Sequence, residues 1–143
     1  MDIKTLQSPD FDFWTSIETR WRDMDALGHI NHAAYLTYME SARVDVYIEL
    51  GYSGIRRDMD ESTILASMEV HYLNQAMHPS RLEVGHRISR VGNKSFDFIS
   101  GIFDGSKELV CAAIFKLVAY NYDEECSIPV PELIRERCRP ISV

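Results

Sequence analysis

One long helical pattern, followed only by strand patterns, most constrains the fold of this chain. Apolar residues such as Ala34 and Tyr38 recur at intervals of three and four between residues 31 and 50, and no proline interrupts them. Asn31 is a suitable N-cap for this segment, and Gly51 suits the left-handed residue that ends a helix. Because much of its surface is apolar or aromatic, we expect a central helix that other elements wrap.

The other patterns predict an antiparallel sheet. Residues 14–22 alternate between apolar and polar side chains, which is typical of a strand. Four more strands are predicted after the helix, and the turn sequences VGNK and DGSK separate the last three; the strands are residues 63–73, 81–90, 95–103 and 108–120. The last of these is long and apolar, which indicates a central strand, and a short helix is expected after Pro131. One helix with one such sheet predicts an α+β layer fold.

The composition is that of one globular domain over residues 1–143, with 45% hydrophobic residues. The net charge of −7 argues against binding nucleic acid through a general basic surface. The three cysteines form no CxxC pair, which argues against a disulfide framework or a zinc site. We see no basic and apolar leader sequence and no run of 18 apolar residues, so we expect a cytoplasmic protein without a membrane partner.

Polar side chains crowd the segment where the first strand ends and the helix begins. The stretch DMDALGHINHAAY, residues 23–35, contains two aspartates, a glycine, two histidines and an asparagine. Helix capping explains one or two of them. Acyl transfer is the other interpretation, because N–H groups at a helix start can stabilise a carbonyl oxygen that gains negative charge. A nearby carboxylate could attack that carbonyl or deprotonate water. On the residues alone, the two interpretations are equally good.

A metal site is the rival use of this stretch. His29 and His32 are three residues apart, and Asp25 is close in sequence. Their side chains need not converge, however, and protein metal sites usually have three or four ligands with supporting hydrogen bonds. We therefore expect no metal and no other cofactor.

The stretch RWRDMDALGHINHAAYLTYMESAR, residues 20–43, resembles the hotdog-fold acyl-CoA thioesterases of the 4-hydroxybenzoyl-CoA thioesterase-like family, whose loop and helix start follow D-x-D-x-x-G-H-x-N-x-A-x-Y. The segments EVHYLNQAMHPSRLEV, RVGNKSFDF and IPVPELI support the likeness, which runs from about Phe13 to Pro131. The resemblance implies a hotdog fold, in which a five-stranded antiparallel sheet wraps one long central helix. It also implies hydrolysis of an acyl-CoA thioester to a carboxylic acid and CoA.

The resemblance also implies roles for individual residues. Asp25 matches the catalytic carboxylate of the family, which acts as nucleophile or as general base. His32 matches the position whose backbone N–H binds the thioester carbonyl, and it replaces the second asparagine of the commoner G-H-x-N-N form. His29 and Asn31 line the same loop, and Tyr35 is a candidate for contact with the acyl group.

A further cluster could bind the phosphates of coenzyme A. Arg87, Arg90, Lys94 and Ser95 lie around the third-strand hairpin, where the resemblance implies a nucleotide site. Cations and hydroxyl groups are suited to phosphate, and the acidic net charge requires any such cations to be local.

Glu40 is an alternative catalytic carboxylate, because a second branch of hotdog thioesterases uses a helix glutamate about eight residues beyond the position of His32. We favour a different role, an i, i+3 ion pair with Arg43, because Asp25 is present.

Two other functions stay open. A hotdog dehydratase or hydratase would use a pair of histidine and acid, such as His29 or His32 with Glu40. A non-catalytic acyl-CoA binding domain would keep the pocket alone. In either case, as in the thioesterase, the expected partners are an acyl-CoA and further copies of the chain, in a homodimer or homotetramer with the site between subunits. The identity of the acyl chain stays open.

Overall fold

The computed structural model describes residues 1–52 and 61–143. A long helix α1, His32–Leu50, packs against one face of an antiparallel sheet whose strand order is β1-β3-β4-β5-β2. The strands are β1 Phe13–Glu18, β2 Glu61–Tyr72, β3 Arg81–Val91, β4 Ser95–Phe103 and β5 Leu109–Asn121. A two-residue strand β6, Cys126–Ser127, pairs with β5, and a short helix α2, Glu132–Arg135, follows it. This architecture confirms the predicted α+β fold.

Both ends of α1 form as the sequence predicts. The Asn31 side chain accepts a hydrogen bond from the Ala33 N–H at 2.8 Å, so it caps the helix. Gly51 has a φ of +115°, the left-handed conformation that ends a helix without a steric penalty. The face of α1 that points toward the sheet is buried and comprises Tyr35, Tyr38, Met39, Ala42, Arg43, Val46 and Tyr47.

The sheet separates two apolar clusters. The larger lies between α1 and the inner face of the sheet and includes Met39, Phe98 and Phe115. The smaller lies on the outer face, where Ile3, Leu6 and Phe11 from the start of the chain cover Ile99, Phe103 and Ala112 of the sheet. The N-terminal segment, residues 1–12, therefore covers part of the outer face. Among the described residues, no helix is long and apolar enough to cross a membrane.

Most predicted elements agree with the structure to within two residues, with two exceptions. The first strand was predicted to continue to residue 22, but β1 ends at Glu18 and Trp21–Asp23 form a turn of 3-10 helix. The turn forms because the Asp23 carboxylate accepts a hydrogen bond from the Arg20 N–H at 3.0 Å. Strand β6 was not predicted, because two residues are too short to show a period.

Strand β2 forms one edge of the sheet and is exposed along most of its length. Its large apolar side chains Ile64, Leu65, Met68 and Tyr72 are each 42% to 48% exposed. A bulge between Leu65 and Ser67 shifts the pairing with β5 by one residue. Thr63 and Tyr72 both bond to α1, so side-chain alternation places Leu65 and Met68 on the face that points toward the helix.

A pair of glycines makes room for the N-terminal segment. Gly85 on β3 lies opposite Gly101 on β4, and a Cβ atom at Gly85 would lie 2.7 Å from Cγ of Phe11. A Cβ at Gly101 would lie 2.7 Å from Cζ of the same ring. The two glycines thus form a notch that the Phe11 ring fills.

We expect Gly85→Ala to lower the free energy of unfolding by about 1–3 kcal/mol, because the added methyl group must displace the Phe11 ring. Urea denaturation followed by circular dichroism measures this change. Gly105→Ala is the matched control, since its Cβ would meet nothing within 4 Å. Equal midpoints for the two variants would contradict the role of the notch.

Candidate active site

The junction between β1 and α1 folds into a small turn that presents Asp25. Met24 and Ile30 form an isolated antiparallel bridge across the base of the turn. Inside it, the Asp25 N–H donates to the His29 carbonyl at 2.9 Å, and the Gly28 N–H donates to the Asp25 carbonyl at 3.1 Å. Gly28 has a φ of +82°, which a glycine adopts readily and which closes the turn.

Local hydrogen bonds orient the Asp25 carboxylate. Its Oδ1 accepts from the Leu27 N–H at 2.9 Å and from the His29 N–H at 3.4 Å. The residue is half-buried, and within residues 1–52 and 61–143 its Oδ2 has no hydrogen-bond partner. One oxygen is therefore held by the loop, while the other is available to a water molecule or a carbonyl carbon.

The first N–H of α1 is also available. Asn31 uses its side chain to satisfy the Ala33 N–H and its carbonyl to accept from the Ala34 N–H at 2.9 Å. The N–H of His32, the first helical residue, makes no hydrogen bond in the described parts of the chain. It lies at the positive end of the helix dipole, which favours an oxygen that carries negative charge. Asn31 is a capping residue, so its predicted contact with substrate stays a prediction.

The imidazole groups of this loop do not form a metal cluster with Asp25. The exposed His32 ring packs edge-on against Tyr72, with 6.2 Å between ring centroids. His29 is half-buried and contacts Asp25 through its backbone N–H. In the described ranges, no three histidine, cysteine or acidic side chains come together as metal ligands would.

Asp23, the first aspartate of the motif, joins the loop to the helix. Its carboxylate is 6% exposed and accepts from the Tyr38 hydroxyl at 2.6 Å and from Arg20 Nη2 at 3.1 Å. Its backbone carbonyl accepts from the Asn31 N–H at 2.8 Å. Burial opposes ionisation of this carboxyl, but the hydrogen bonds from Tyr38 and Arg20 outweigh burial and lower its pKa. No role for Asp23 was predicted from the sequence. The available signal was its spacing of three residues from Arg20.

Two tyrosines fasten the helix start to neighbouring segments. The Tyr72 hydroxyl donates to the His32 carbonyl at 3.0 Å, so the end of β2 supports the first turn of α1. The Tyr35 hydroxyl accepts from the Ala76 N–H at 3.1 Å, and the Ala76 carbonyl accepts from the Ile30 N–H at 2.8 Å. Tyr35 is 4% exposed, so the structure places it in the core below the loop. Its contact with an acyl group stays a prediction.

Arg87, a predicted phosphate ligand, ties the C-terminal segment to β3. Its guanidinium donates to three backbone carbonyls, including that of Pro140 at 2.6 Å and that of Asp10 at 3.2 Å. The residue is only 4% exposed. Because backbone carbonyls already bind this cation inside the protein, we do not propose Arg87 as a phosphate ligand.

The other three predicted phosphate ligands do lie together. Arg90 donates to the Ser95 hydroxyl at 3.2 Å and forms an ion pair with Asp97 at 2.9 Å. Lys94 is exposed in the adjacent turn. Hydrogen bonds from Arg90 to Asp97 raise the pKa of the guanidinium, so this residue is a permanent cation. Arg90, Lys94 and Ser95 are called the hairpin cluster below.

Within one chain, the hairpin cluster and Asp25 lie at opposite ends of the sheet. The Thr19 N–H donates to the Ser80 carbonyl at 3.0 Å, so the loop that presents Asp25 lies near the start of β3. The hairpin cluster lies at the other end of β3, about 34 Å away for an extended strand from residue 81 to residue 91. The structure therefore does not bring these predicted site residues together.

The predicted ion pair between Glu40 and Arg43 is wrong. Glu40 is exposed, whereas Arg43 is 7% exposed and its guanidinium lies 4.4 Å from the centre of the Phe115 ring. The spacing of three residues does not bring them together, because Arg43 turns toward the sheet and Glu40 toward solvent.

Comparisons with known proteins agree with this geometry. A family model for the thioesterase-like superfamily matches residues 19–138. The PA2801 protein of Pseudomonas aeruginosa has the same fold, with a TM-score of 0.81 and 28% identity over 87% of this chain and 95% of that protein. A thioesterase from Thermus thermophilus, solved with coenzyme A and zinc, gives a TM-score of 0.76 and 29% identity over 90% of this chain and 98% of that one.

A shorter match is found with the protein YsmA of Bacillus subtilis (strain 168). It is 27% identical over 85 residues, which are 59% of this chain and 56% of that protein. This chain thus covers only a little more than half the length of that relative. The structural similarities confirm the predicted hotdog fold.

We expect Tyr38→Phe to lower the free energy of unfolding by about 1.5–3 kcal/mol near neutral pH, because it removes a hydrogen bond to the buried Asp23 carboxylate. The pKa of Asp23 is lowered in the folded state. The stability that its ionised form contributes is therefore fully present above the pKa of this carboxyl in the unfolded state. That stability is lost as the pH falls below the ordinary carboxyl value of 3.8. The stability difference between wild type and variant should therefore shrink in acid.

Urea denaturation of both proteins between neutral and acidic pH measures this difference. Tyr122→Phe is the control, because that exposed hydroxyl donates to a backbone carbonyl at Thr63 rather than to a carboxylate. A difference for Tyr38→Phe that does not change with pH would contradict the ionised state assigned to Asp23.

Proposed function

The chain belongs to the thioesterase-like superfamily, and on this premise we propose that it is an acyl-CoA thioesterase. In the reaction the C–S bond of the thioester breaks, a C–O bond to water forms, and the products are a carboxylic acid and coenzyme A with a free thiol. Membership of the superfamily confirms the predicted enzyme class, a thioester hydrolase. The choice of coenzyme A as the thiol carrier is supported by the Thermus thermophilus thioesterase solved with that molecule.

One observation carries the proposed mechanism: a carboxylate with a free oxygen and an unsatisfied helix N–H share one short loop. The His32 N–H would donate to the thioester oxygen and stabilise its developing negative charge. Asp25 would then either attack the carbonyl and form an acyl-enzyme anhydride, or deprotonate a water that attacks it. The leaving group is a thiolate whose thiol resembles cysteine, with a pKa of about 8.5. It can depart without a strong general acid.

We also propose that two chains form the site together. In the part of the chain that the structure describes, β2 pairs only with β5, so its other edge is open and carries a row of exposed apolar side chains; such edges are normally covered. Antiparallel pairing of β2 with β2 of a second copy would continue the sheet across a two-fold axis. The apolar side chains Leu65 and Met68 would then be buried at the interface.

This pairing would also bring the separated site residues together. The last residue of β2, Tyr72, contacts the catalytic loop through His32, whereas the start of β2 lies at the end of the sheet that holds the hairpin cluster. In an antiparallel pair, the start of one β2 lies beside the end of the other. The hairpin cluster of one subunit would thus lie at the same end of the joined sheet as Asp25 of its partner, where its cations can bind the phosphates of coenzyme A.

The outer face of the sheet favours a dimer over a tetramer. The N-terminal segment covers the apolar residues of that face, so sheets of two dimers cannot pack there without displacing it. Arg139 holds the segment in place by donating to the Asp12 carboxylate at 2.9 Å and to the Pro9 carbonyl at 3.1 Å.

We expect Asp25→Asn to lower kcat/KM for the best acyl-CoA by on the order of 10²–10⁴-fold, because asparagine can act neither as base nor as carboxylate nucleophile. A thiol-release assay over a panel of acyl-CoAs measures the rates. His32→Ala keeps the backbone N–H, so it should cost much less, and it is the matched control from the same loop.

Wild-type turnover in Asp25→Asn would contradict the mechanism and make Glu40 the candidate carboxylate. A defect in His32→Ala as deep as that of Asp25→Asn would show that the imidazole takes part. Binding without hydrolysis of any acyl-CoA by the wild type would instead indicate a non-catalytic binding domain.

We expect the protein to have twice the 16.5 kDa mass of one chain at micromolar concentration. Size-exclusion chromatography with light scattering measures the mass. Met68→Lys should shift the protein toward the monomer, because it places a charge in the paired edge. Met77→Lys, at another exposed methionine outside that edge, should not. A monomeric wild type would overturn the shared-site arrangement.

A further inference from the structure

Arg43 is a buried cation that forms no ion pair or hydrogen bond with residues 1–52 and 61–143. It projects from the inner face of α1 and is 7% exposed, and its Nη1 atom is shielded from solvent with no hydrogen-bond partner. The guanidinium lies over the Phe115 ring. Burial lowers the pKa of this group. Tyr47 and Glu40 act electrostatically in the opposite direction, but neither makes a hydrogen bond to Nη1. A buried donor without an acceptor is costly, so this atom can bind an acceptor that enters from outside the chain.

Arg43 lies near β2, because Phe115 beneath its guanidinium belongs to the strand that pairs with β2. The open strip of β2 beside Leu65 and Met68 is called the groove below. The helix packs mainly on β1, β3 and β4, and tyrosines fasten it to β2 at its two ends. Tyr72 bonds to the His32 carbonyl at one end, and the Tyr47 hydroxyl lies 3.0 Å from the Thr63 hydroxyl at the other. Between these ties, Leu65 and Met68 point toward the helix and yet are 42% and 48% exposed, so the helix does not fill the space beside them.

Arg43 and His32 lie on the same side of α1. By helical periodicity His32, Leu36, Met39, Arg43 and Tyr47 share this face, and Met39 is fully buried. Phe115, beneath the guanidinium, pairs with Met68 of β2, so the cation lies one strand spacing from the exposed edge. An acyl group bound with its carbonyl at the His32 N–H would extend along this groove toward Arg43.

Protein groups on β2 do not supply the missing acceptor. The described side chains of β2 that face the helix are Thr63, Leu65, Met68, Val70 and Tyr72, and none is a carboxylate. In a two-fold pairing through β2, a partner subunit would present the same row. The acceptor is therefore best supplied by the ligand.

We infer that Arg43 recognises a carboxylate at the far end of the acyl group, so that the preferred substrates are coenzyme A monothioesters of dicarboxylic acids. This rests on the proposed thioesterase function. At about 1.5 Å per residue, Arg43 lies roughly 16 Å beyond His32 along the helix. Its side chain leans back toward the helix N-terminus and reduces that span to roughly 10–12 Å. An extended chain advances about 3.3–3.6 Å per three bonds, so a span of roughly 10–12 Å corresponds to about nine bonds between the thioester carbon and the carboxylate carbon. Decanedioic acid has this length.

The test compares decanedioyl-CoA, as the monothioester, with decanoyl-CoA on the full chain. We expect the wild type to favour the carboxylated substrate by on the order of 10- to 100-fold in kcat/KM, as a charged hydrogen bond in a buried site would produce. Arg43→Met retains an apolar side chain over Phe115 and removes the charge. It should abolish this preference by lowering kcat/KM for decanedioyl-CoA to the value for decanoyl-CoA.

Lys116→Met is the matched control. It removes the same charge from the residue next to Phe115, but Lys116 is exposed on the outer face of the sheet. Its preference should equal that of the wild type, which separates recognition by Arg43 from a change in net charge. Binding of both thioesters to Asp25→Asn, measured by calorimetry, gives a readout that does not depend on turnover.

The outcomes separate the two proposals. Equal or weaker use of decanedioyl-CoA by the wild type, or a preference that survives in Arg43→Met, overturns this inference and leaves the thioesterase function intact. Absence of hydrolysis of both substrates overturns the proposed function, and calorimetry then decides the inference alone. If Arg43→Met instead converts the dimer to a monomer without changing the preference, the acceptor belongs to the partner subunit and the inference is wrong.

Discussion

The hydrogen bonds of the buried Asp23 carboxylate are the interaction on which the loop before α1 depends. A buried negative charge must be met by donors, and here they come from both sides of the loop, from Arg20 before it and from Tyr38 on the helix. These donors allow one relative arrangement of β1, the loop and α1. The cap at Asn31 and the orientation of Asp25 follow from that arrangement. Asp23, the first aspartate of the motif, therefore holds the loop in place, and Asp25, the second, keeps one oxygen without a partner among the described residues.

The two faces of the sheet pack against different segments of the chain. The inner face packs against α1, and part of the outer face is covered by the N-terminal segment, which Arg87 and Arg139 hold through backbone carbonyls at Asp10 and Pro9. The β2 edge and the loop end are exposed, and these are the surfaces that the proposed site uses.

The features that could be predicted depend on residues close together in the sequence, and the features that could not be predicted depend on residues far apart. The ends of α1 could be predicted because a cap and a left-handed glycine act within a few residues. Strands with a clear period were placed to within two residues, whereas β1 ended early because a side chain competed for its backbone. The position of Asp25 in the loop before α1 was predicted from a sequence motif. The bond from Arg87 to Pro140 spans 53 residues, and no local pattern reports it.

Arg43 is a second case in which the sequence pattern did not predict the contact that forms. Its spacing from Glu40 suits a helical ion pair, and only the packing of α1 shows that the two side chains point to different environments. Helical periodicity tells which residues share a face, but the partner of that face is a property of the fold.

The attachment of α1 to β2 by tyrosines at its two ends separates two properties that evolution can change independently. The middle of the groove is bordered by side chains such as Leu65 and Met68, which take no part in holding Asp25 or the helix start. Exchanges among apolar side chains there can reshape the space beside the helix without changing the hydrogen bonds that hold the loop. A family built in this way can acquire new substrate ranges by single replacements, while the reaction chemistry is inherited unchanged.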